Sequence, residues 1–540
     1  MKTVKLLLNA ALPCVVAGAP FFAPFFTPMA AAQATAPAVA RVASTWDERD
    51  AEHLFNRAGF GARPNEISYA LRMPREQFVD QLLAGFAPAG DPFFLDAPER
   101  PQRRDFKGDE EQYRKLNDAY RAKERELMIA FTGWWFDQML EARDPLREKM
   151  VLFWHGHFTS SVRVVKSSAA MITQNELFRR HALGNFRDLV AGIVRDPAML
   201  AYLDNNQNRK GNPNENLARE LMELFTLGVG NYTEDDIKEA ARALTGWQTR
   251  EGEGAFFVQR QHDNGVKTIL GRTGRFDADD LVDILLDQPA CPRWIAARLL
   301  LYFEGREPSE RRLAEYAAFL KAQKYELAPF LRKLFLDAQF YSDEIVAERI
   351  AGPVEFLVGA TRRLGITIQP QVLWLGAGQL GQRLFEPPNV KGWEGGEAWV
   401  TTSTLLARGN MAGMLLGAVR IEDVIKDDSL EFADEPSMGG EMQPSGDGMT
   451  PSGGDDSMTK REARKEKKVD LGQDMSAMRR LLGAVYFPRL NLTARAARAN
   501  ARSDAQIVDL LADELLPVEL TTASRAPLIL YRLVPLSIRI

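Results

Sequence analysis

The chain is poor in the residues that make a functional site easy to read. It has two cysteines and five histidines in 540 residues. Cys14 lies in an amino-terminal apolar run, so Cys291 is the thiol left for the body of the protein, no internal disulfide is available, and the fold must hold by burial. A strong charge of either sign is also missing: 68 basic residues stand against 73 acidic ones, for a formal charge of -5. No global field draws the chain to nucleic acid, and that partner is set aside. Beyond the amino terminus no apolar run is long enough to span a bilayer. There is no nucleophile elbow and no phosphate loop, and Gly392, Gly395 and Gly396 have no strand-turn-helix unit around them to make a nucleotide fingerprint. Strand signals are scarce.

What is present begins with an address. Lys2 and Lys5 precede an apolar run from Leu6 to Met29, and Ala30, Ala31 and Ala32 before Gln33 supply the small residues a signal peptidase needs. We read residues 1–32 as a signal peptide and expect an exported protein, periplasmic or secreted, with no membrane span after its removal. An uncleaved anchor is the alternative, because the run is long and broken by Pro13, Pro20 and Pro24.

The expected fold is mainly α, a large multi-helix body with at most a small β-hairpin and one long disordered insertion. Thr45 with Glu48 reads as a capping box for a first helix, and the charged, periodic stretch from Gly108 to Arg143 reads as the longest one, carrying Trp134, Trp135 and Phe136 into the core. Helices are also expected in PLREKMVLFWHGHF, in SSAAMITQNELFRRHAL up to Gly184, and in FRDLVAGIVRD up to Pro197. Ala255 to Leu270 is the one hairpin candidate, with its turn at Asn264 and Gly265. The main domain is placed at 33–420. Residues 421–474 run from an acidic Gly/Ser/Met/Pro-rich stretch into the basic block KREARKEKK, too poor in apolar surface to fold. Helical patterning returns over 475–540, which is expected to pack on the main domain.

Two stretches offer side chains for chemistry. In DNNQNRKGNPNE, Asp204, Asn206, Asn208, Asn212 and Glu215 have the ligand spacing of a helix-bounded calcium loop, with the Lys210 carbonyl as a further oxygen. Against that reading, Arg209 and Gly211 stand where such a loop prefers a glycine and an apolar residue. A loop rich in Asn is also what any tight connection uses. Calcium or another divalent metal is therefore a candidate cofactor, and a plain polar turn is the alternative. In the following helix Leu217, Leu221 and Leu224 share one face, while Asn216, Arg219, Glu220 and Glu223 share the other. That stripe is either the wall of a cleft or a solvated face with Arg219 and Glu223 paired across one turn. Gly228 ends this helix, and Thr233 with Asp236 starts the next.

Histidines and tryptophans supply the remaining candidates. His155 and His157 are two apart, which on a helix sets them about 200° from each other, so only one is expected to face inward. They are either half of a zinc pair, completed by Glu220, Glu223, His262 and Asp263, or core imidazoles. Pro387, Pro388 and the glycines of PPNVKGWEGGEAWV stiffen and turn a loop on which Trp393 and Trp399 line a carbohydrate or peptide groove or pin the loop to the core. The candidate cleft is accordingly His155, His157, Asn216, Glu220, Glu223, His262, Asp263 and Trp393.

Taken together, HLFNRAGFG, FWHGHF, the long block from YLDNNQNRKGNPNENLARELMELF to ALTGW, HDNGVKTILG and PPNVKGWEGGEAWV resemble the bacterial domain-of-unknown-function family 1800. The resemblance implies an exported protein without an established activity, whose gene often sits beside that of an exported protein similar to sulfatases and alkaline phosphatases. It carries over no catalytic residue. Two function classes follow: a binding or accessory protein of the cell envelope acting with a co-exported partner, or a metal-assisted hydrolase using a Glu/His cleft.

Overall fold

The computed structural model describes residues 46–415 apart from 87–92, 94–96, 107, 251–253 and 347, together with a few positions between 499 and 510. The expected signal peptide (1–32), the insertion (421–474) and nearly all of the segment 475–540 lie outside the described residues.

Helices start where a side chain can take up the free amides of a first turn. In α1 (Glu48–Ala58) that residue is Asp47, which accepts from the Asp50 amide at 3.0 Å; the expected cap, Thr45, lies outside the described residues. After α2 (Pro64–Ala70) and α3 (Arg75–Ala84) comes α4 (Glu110–Glu141), the long charged helix, of 32 residues. Its first half is solvated, whereas Phe131, Trp135, Phe136 and Met139 near its end are fully buried and Trp134 is partly so. Asp144 caps α5 (Pro145–His157), where proline at the first position forgoes an amide that would have no partner. The short α6 (Val162–Val165) leads into α7 (Ser168–His181), and Asn185 and Asp196 cap α8 (Phe186–Ile193) and α9 (Pro197–Tyr202).

The next helix, α10 (Asn216–Glu220), runs without a break into a π-helical turn, Leu221–Thr226. Then α11 (Glu234–Ala243) opens on the expected capping box, with the Thr233 hydroxyl accepting from the Asp236 amide and the Asp236 carboxylate accepting from the Thr233 amide. Farther on, α12 (Ala278–Asp287), α13 (Ala290–Glu304), α14 (Glu310–Ala322) and α15 (Leu327–Leu336) follow one another. The chain returns through α16 (Pro353–Leu364) and α17 (Pro370–Gln379), which lie along α4, and α18 (Thr402–Leu415) packs on both.

The β structure departs from expectation. Ala255 to Leu270 does not fold back at Asn264 and Gly265; instead β1 (Trp247–Arg250) pairs antiparallel with β2 (Gly254–Phe257), and β3 (Lys267–Ile269) with β4 (Arg272–Gly274). The cause is Asp263. Its carboxylate accepts from the Gly265 amide at 2.8 Å and from Arg242 of α11 at 2.7 Å, so Asn264 and Gly265 form a side-chain-closed turn tied to a helix.

One contiguous hydrophobic core runs through the described helices. At its centre the Phe158 ring lies 5.7 Å from Trp154 and 5.1 Å from Phe225, and Trp154 lies 5.7 Å from Phe186. Cys291 is buried, and burial pushes its thiol up to about 12, so it is inert. Among the described residues no helix is long and apolar enough to cross a membrane. Phe158, fully enclosed, tests the core: Phe158→Ala should cost about 3–5 kcal/mol in urea denaturation. A loss below about 1 kcal/mol would mean that the ring cluster is not what holds α5 to α8 and the π turn.

Candidate functional site

The carboxylate-bearing helix is two elements joined in register. From Leu221 the backbone widens: the amides of Leu227 and Gly228 both reach the Met222 carbonyl, at 2.9 and 3.2 Å, and the Thr226 hydroxyl donates to the Leu221 carbonyl at 2.6 Å. The carbonyls of Leu224 and Phe225 take side-chain donors from other helices. Trp294 Nε1 of α13 lies 2.9 Å from the first, and His157 Nε2 of α5 lies 3.0 Å from the second. Gly228 closes the turn at a φ of +81°, with the Trp294 ring 2.8 Å from where a Cβ would stand. As a result Leu217, Leu221 and Phe225 are in the core, Leu224 is only partly buried, and Glu220 and Glu223 lie half-buried at the surface.

The loop 387–400 closes on this turn from the other side. Phe385, buried and held at a φ of +65°, donates its amide to His155 Nε2 at 3.0 Å and accepts from the Val162 amide at 2.9 Å. Thr159 Oγ1 donates to the Val390 carbonyl at 2.5 Å. Gly392, at a φ of +79°, lies so near α5 that a Cβ on it would fall 2.5 Å from the Gly156 carbonyl oxygen. Trp393 packs its ring 5.5 Å from the His155 imidazole. Lys391, next to Gly392, is exposed and within electrostatic reach of Glu220.

Four side chains from four parts of the chain therefore lie within electrostatic reach of Glu220: Tyr202 at the end of α9, Glu223, Tyr232 and Lys391. Burial raises the Glu220 carboxyl above its ordinary range, and the neighbouring Glu223 raises it further, against the opposing charges of Lys391 and Arg219. Tyr232 donates to Glu223 at 2.9 Å, and burial together with that bond pushes its hydroxyl up to about 12. Burial also raises the Tyr202 hydroxyl, with Glu220 adding to the effect. Lys391, Tyr202 and Tyr232 escaped the sequence reading. All three stand inside the flagged motifs, but no spacing rule signals their convergence.

The other expected site residues are distributed elsewhere. Both His155 and His157 are buried, not one of them, and burial lowers each to about 3; for His157 the Arg298 charge acts in the same direction. Their partners are backbone groups on opposite sides of α5. His262 is buried with Nδ1 2.9 Å from the Thr245 carbonyl, and the neighbouring Asp263 is lowered to about 2, first by its bond to Arg242. That pair sits at the carboxyl end of α11, whereas Arg219 of α10 reaches Glu234 at its amino end at 2.7 Å, about 15 Å away along ten residues. Arg219 binds Glu215 and Glu234, not Glu223 as the solvated-face alternative supposed. Asn216 is exposed at the start of α10.

In the 204–215 loop the asparagines hold the turn. Asn208 is buried; its Oδ1 accepts from the Asn214 amide at 3.0 Å and its Nδ2 donates to the Ala241 carbonyl at 2.8 Å. Asn206 Oδ1 accepts from the Thr249 amide at 2.7 Å, and Glu215 is paired with Arg219. Asp204 and Asn212 are exposed, Asp204 at a φ of +55° and Asn212 in a tight turn with Arg209. The loop docks the start of α10 on the end of α11. Among the described residues no three His, Cys, Asp or Glu side chains are grouped as metal ligands.

Asp196 caps the helix that ends in Tyr202, and it is buried; among the described residues no cation is paired with it, the adjacent Arg195 being engaged with Asp279. Its Oδ2 accepts from Gln174 Nε2 and from the Met199 amide, both at 2.8 Å, yet burial outweighs these bonds and raises the carboxyl to about 7. At pH below the ordinary value of 3.8 both folded and unfolded chains hold this proton. Between there and about 7 only the unfolded chain releases it, so stability falls as pH rises and then levels. Asp196→Asn keeps the cap and removes the ionisation. Its melting temperature should exceed that of the wild type at pH 8 and match it more nearly at pH 4; parallel profiles would refute this role for Asp196.

No curated protein and no solved structure matches the chain. A family model does, over residues 53–532, from the first buried histidine through both walls of the Glu220 cluster and beyond. With nearly all of its length inside that match, the chain belongs to the DUF1800 family of proteins of unknown function.

Proposed function

We propose that this protein is an exported binding or accessory protein of the cell envelope, and that it meets a co-exported partner at the surface formed by Tyr202, Glu220, Glu223, Tyr232 and Lys391. The observation that carries the reading is the charge balance there. Two half-buried carboxylates, Glu220 among them raised, face a single exposed ammonium, because Arg219 is already engaged with Glu215 and Glu234. A partner presenting a cation to Glu220 relieves the repulsion between the two carboxylates. The tyrosines and the exposed Val229 between Glu223 and Tyr232 supply the aromatic and apolar area that interfaces use. Export rests on the amino-terminal signal, and the resemblance to the family points to a sulfatase- or phosphatase-like protein as the partner.

One observation favours a second reading. A raised carboxyl beside a second carboxyl group is what an exported hydrolase uses as a general acid, with Glu220 in that role and a divalent metal supplied separately.

Co-expression with the neighbouring exported sulfatase-like protein separates the two. The pair should co-purify from the periplasm, with the mature chain starting at Gln33. Lys391→Glu, which adds a third negative charge, should change the affinity at least tenfold, or about 1.4 kcal/mol, and Glu220→Gln should weaken it. No association with either the wild type or the variants removes the binding reading. Stoichiometric zinc, iron or calcium in the purified mature protein, with a hydrolysis that Glu220→Gln abolishes, establishes the second reading instead.

A further inference from the structure

We infer that the triplet His155, Gly156 and His157 is the positioning element of this surface, with each imidazole holding one wall and the two rings fixed in opposite tautomers. The inference rests on the reading of the Glu220 cluster as the working surface, but its physical content is separate. His155 Nε2 receives the Phe385 amide, so that nitrogen is the bare acceptor and the proton sits on Nδ1. His157 Nε2 faces the Phe225 carbonyl, which only accepts, so here the proton is on Nε2. Being two residues apart on a helix, the rings point about 200° from each other, one toward the loop and the other toward the π turn. Between them Gly156 has its carbonyl oxygen 2.5 Å from where a Cβ on Gly392 would stand, leaving no room for a side chain on the loop side of the contact.

Each histidine answers a specific local need. Phe385 is a bulky residue in the left-handed region, a conformation that persists only when its surroundings hold it. His155 takes its amide and Val162 donates to its carbonyl, and the loop that carries Lys391 starts two residues later. On the other wall, the Phe225 carbonyl stands at the end of a π turn. His157 and Trp294 are the donors that satisfy the last two side-chain-bonded carbonyls of that turn. Without His157, relaxation to an ordinary α turn shifts the register by one residue and rotates Glu223 and Tyr232 relative to Glu220. Both rings are buried among aromatic groups and stay uncharged across the physiological range.

The walls are therefore separable. His155→Phe keeps an aromatic ring and removes the acceptor, and it should disturb the resonances of Lys391 and Trp393 while leaving the contact between Glu223 and Tyr232 as it was. His157→Phe should do the reverse, and a glutamine at either position, which restores an acceptor or a donor, should recover most of the wild-type spectrum. A role in general stability alone would move both walls in both variants, and that outcome overturns the inference. Nitrogen-15 spectra of histidine-labelled full-length protein at pH 7 give an independent decision even if a variant fails to fold. One Nδ1–H and one Nε2–H tautomer are expected for these two residues; a shared tautomer, or either ring titrating above pH 6, overturns it. If the tautomers and the separate walls hold but partner affinity is the same in every variant, the binding surface is wrong and the positioning element stands.

Discussion

The backbone contact between Gly156 and Gly392 is the constraint on which the rest of the site depends. A carbonyl of α5 occupies the space where the loop residue would carry its Cβ, so the loop can come this close only as glycine. The residues on either side of Gly392 then have little freedom. Trp393 packs on His155, and Lys391 is left on the outer side within reach of Glu220. Because Gly156 is flanked by the two imidazoles, one turn of helix anchors the loop, the π turn and the gap between them.

That arrangement requires α5 to be fixed in rotation, and buried charges fix it. Glu148 accepts from Trp135 Nε1 of α4 and from Arg179 of α7, both at 2.8 Å. The next residue, Lys149, bonds to Glu355, which also takes Arg349 at 2.8 Å and the Gly352 amide at 2.9 Å. Burial lowers Lys149 to about 8. Burial opposes ionisation of Glu355 as well, but Arg349 and Lys149 outweigh it and hold the carboxyl below its ordinary range. Breaking such a buried pair by removing one partner costs on the order of 3–5 kcal/mol, so the pair is weak as a source of net stability and strong as a guard of register. Rotation of α5 by one residue, about 100°, would strand these charges and carry both imidazoles away from their backbone partners.

The sequence was readable where a local interaction decides the structure. The cap at Thr233, the long helix ending in Trp135 and Phe136, and the inward side of Leu217 and Leu221 all follow from neighbours within a few residues. Reading failed where a distant partner decides. Asn264 and Gly265 carry the signal of a hairpin turn, but Arg242, twenty-one residues from Asp263, converts them to a helix-bound corner. Spacing placed Glu220 and Glu223 on one face, yet the widening at Leu221 leaves no mark in a pattern of leucines. The two histidines were correctly set on opposite sides of a helix; that both sides are interior depends on the loop and the π turn arriving from residues 385 and 225. The calcium-like spacing of Asp204 to Glu215 is equally the spacing of asparagines that satisfy a turn, and Asn206 and Asn208 are used in that way.

The division of titration between frame and surface bears on how the site works. The imidazoles that hold the walls keep one charge state, since burial leaves them neutral down to about 3. Arg219 and Asp263, which are tied into ion pairs at the two ends of α11, also keep theirs. Glu220 differs: it is half-buried, pushed up by that burial and then by Glu223, and opposed by an exposed lysine on the neighbouring loop. A cation arriving from outside would lower the energy of that carboxylate while the charges of the frame stay as they are. A site assembled in this manner spends little ordering free energy on recognition, which is the physical reason to regard the cluster as prepared for a partner.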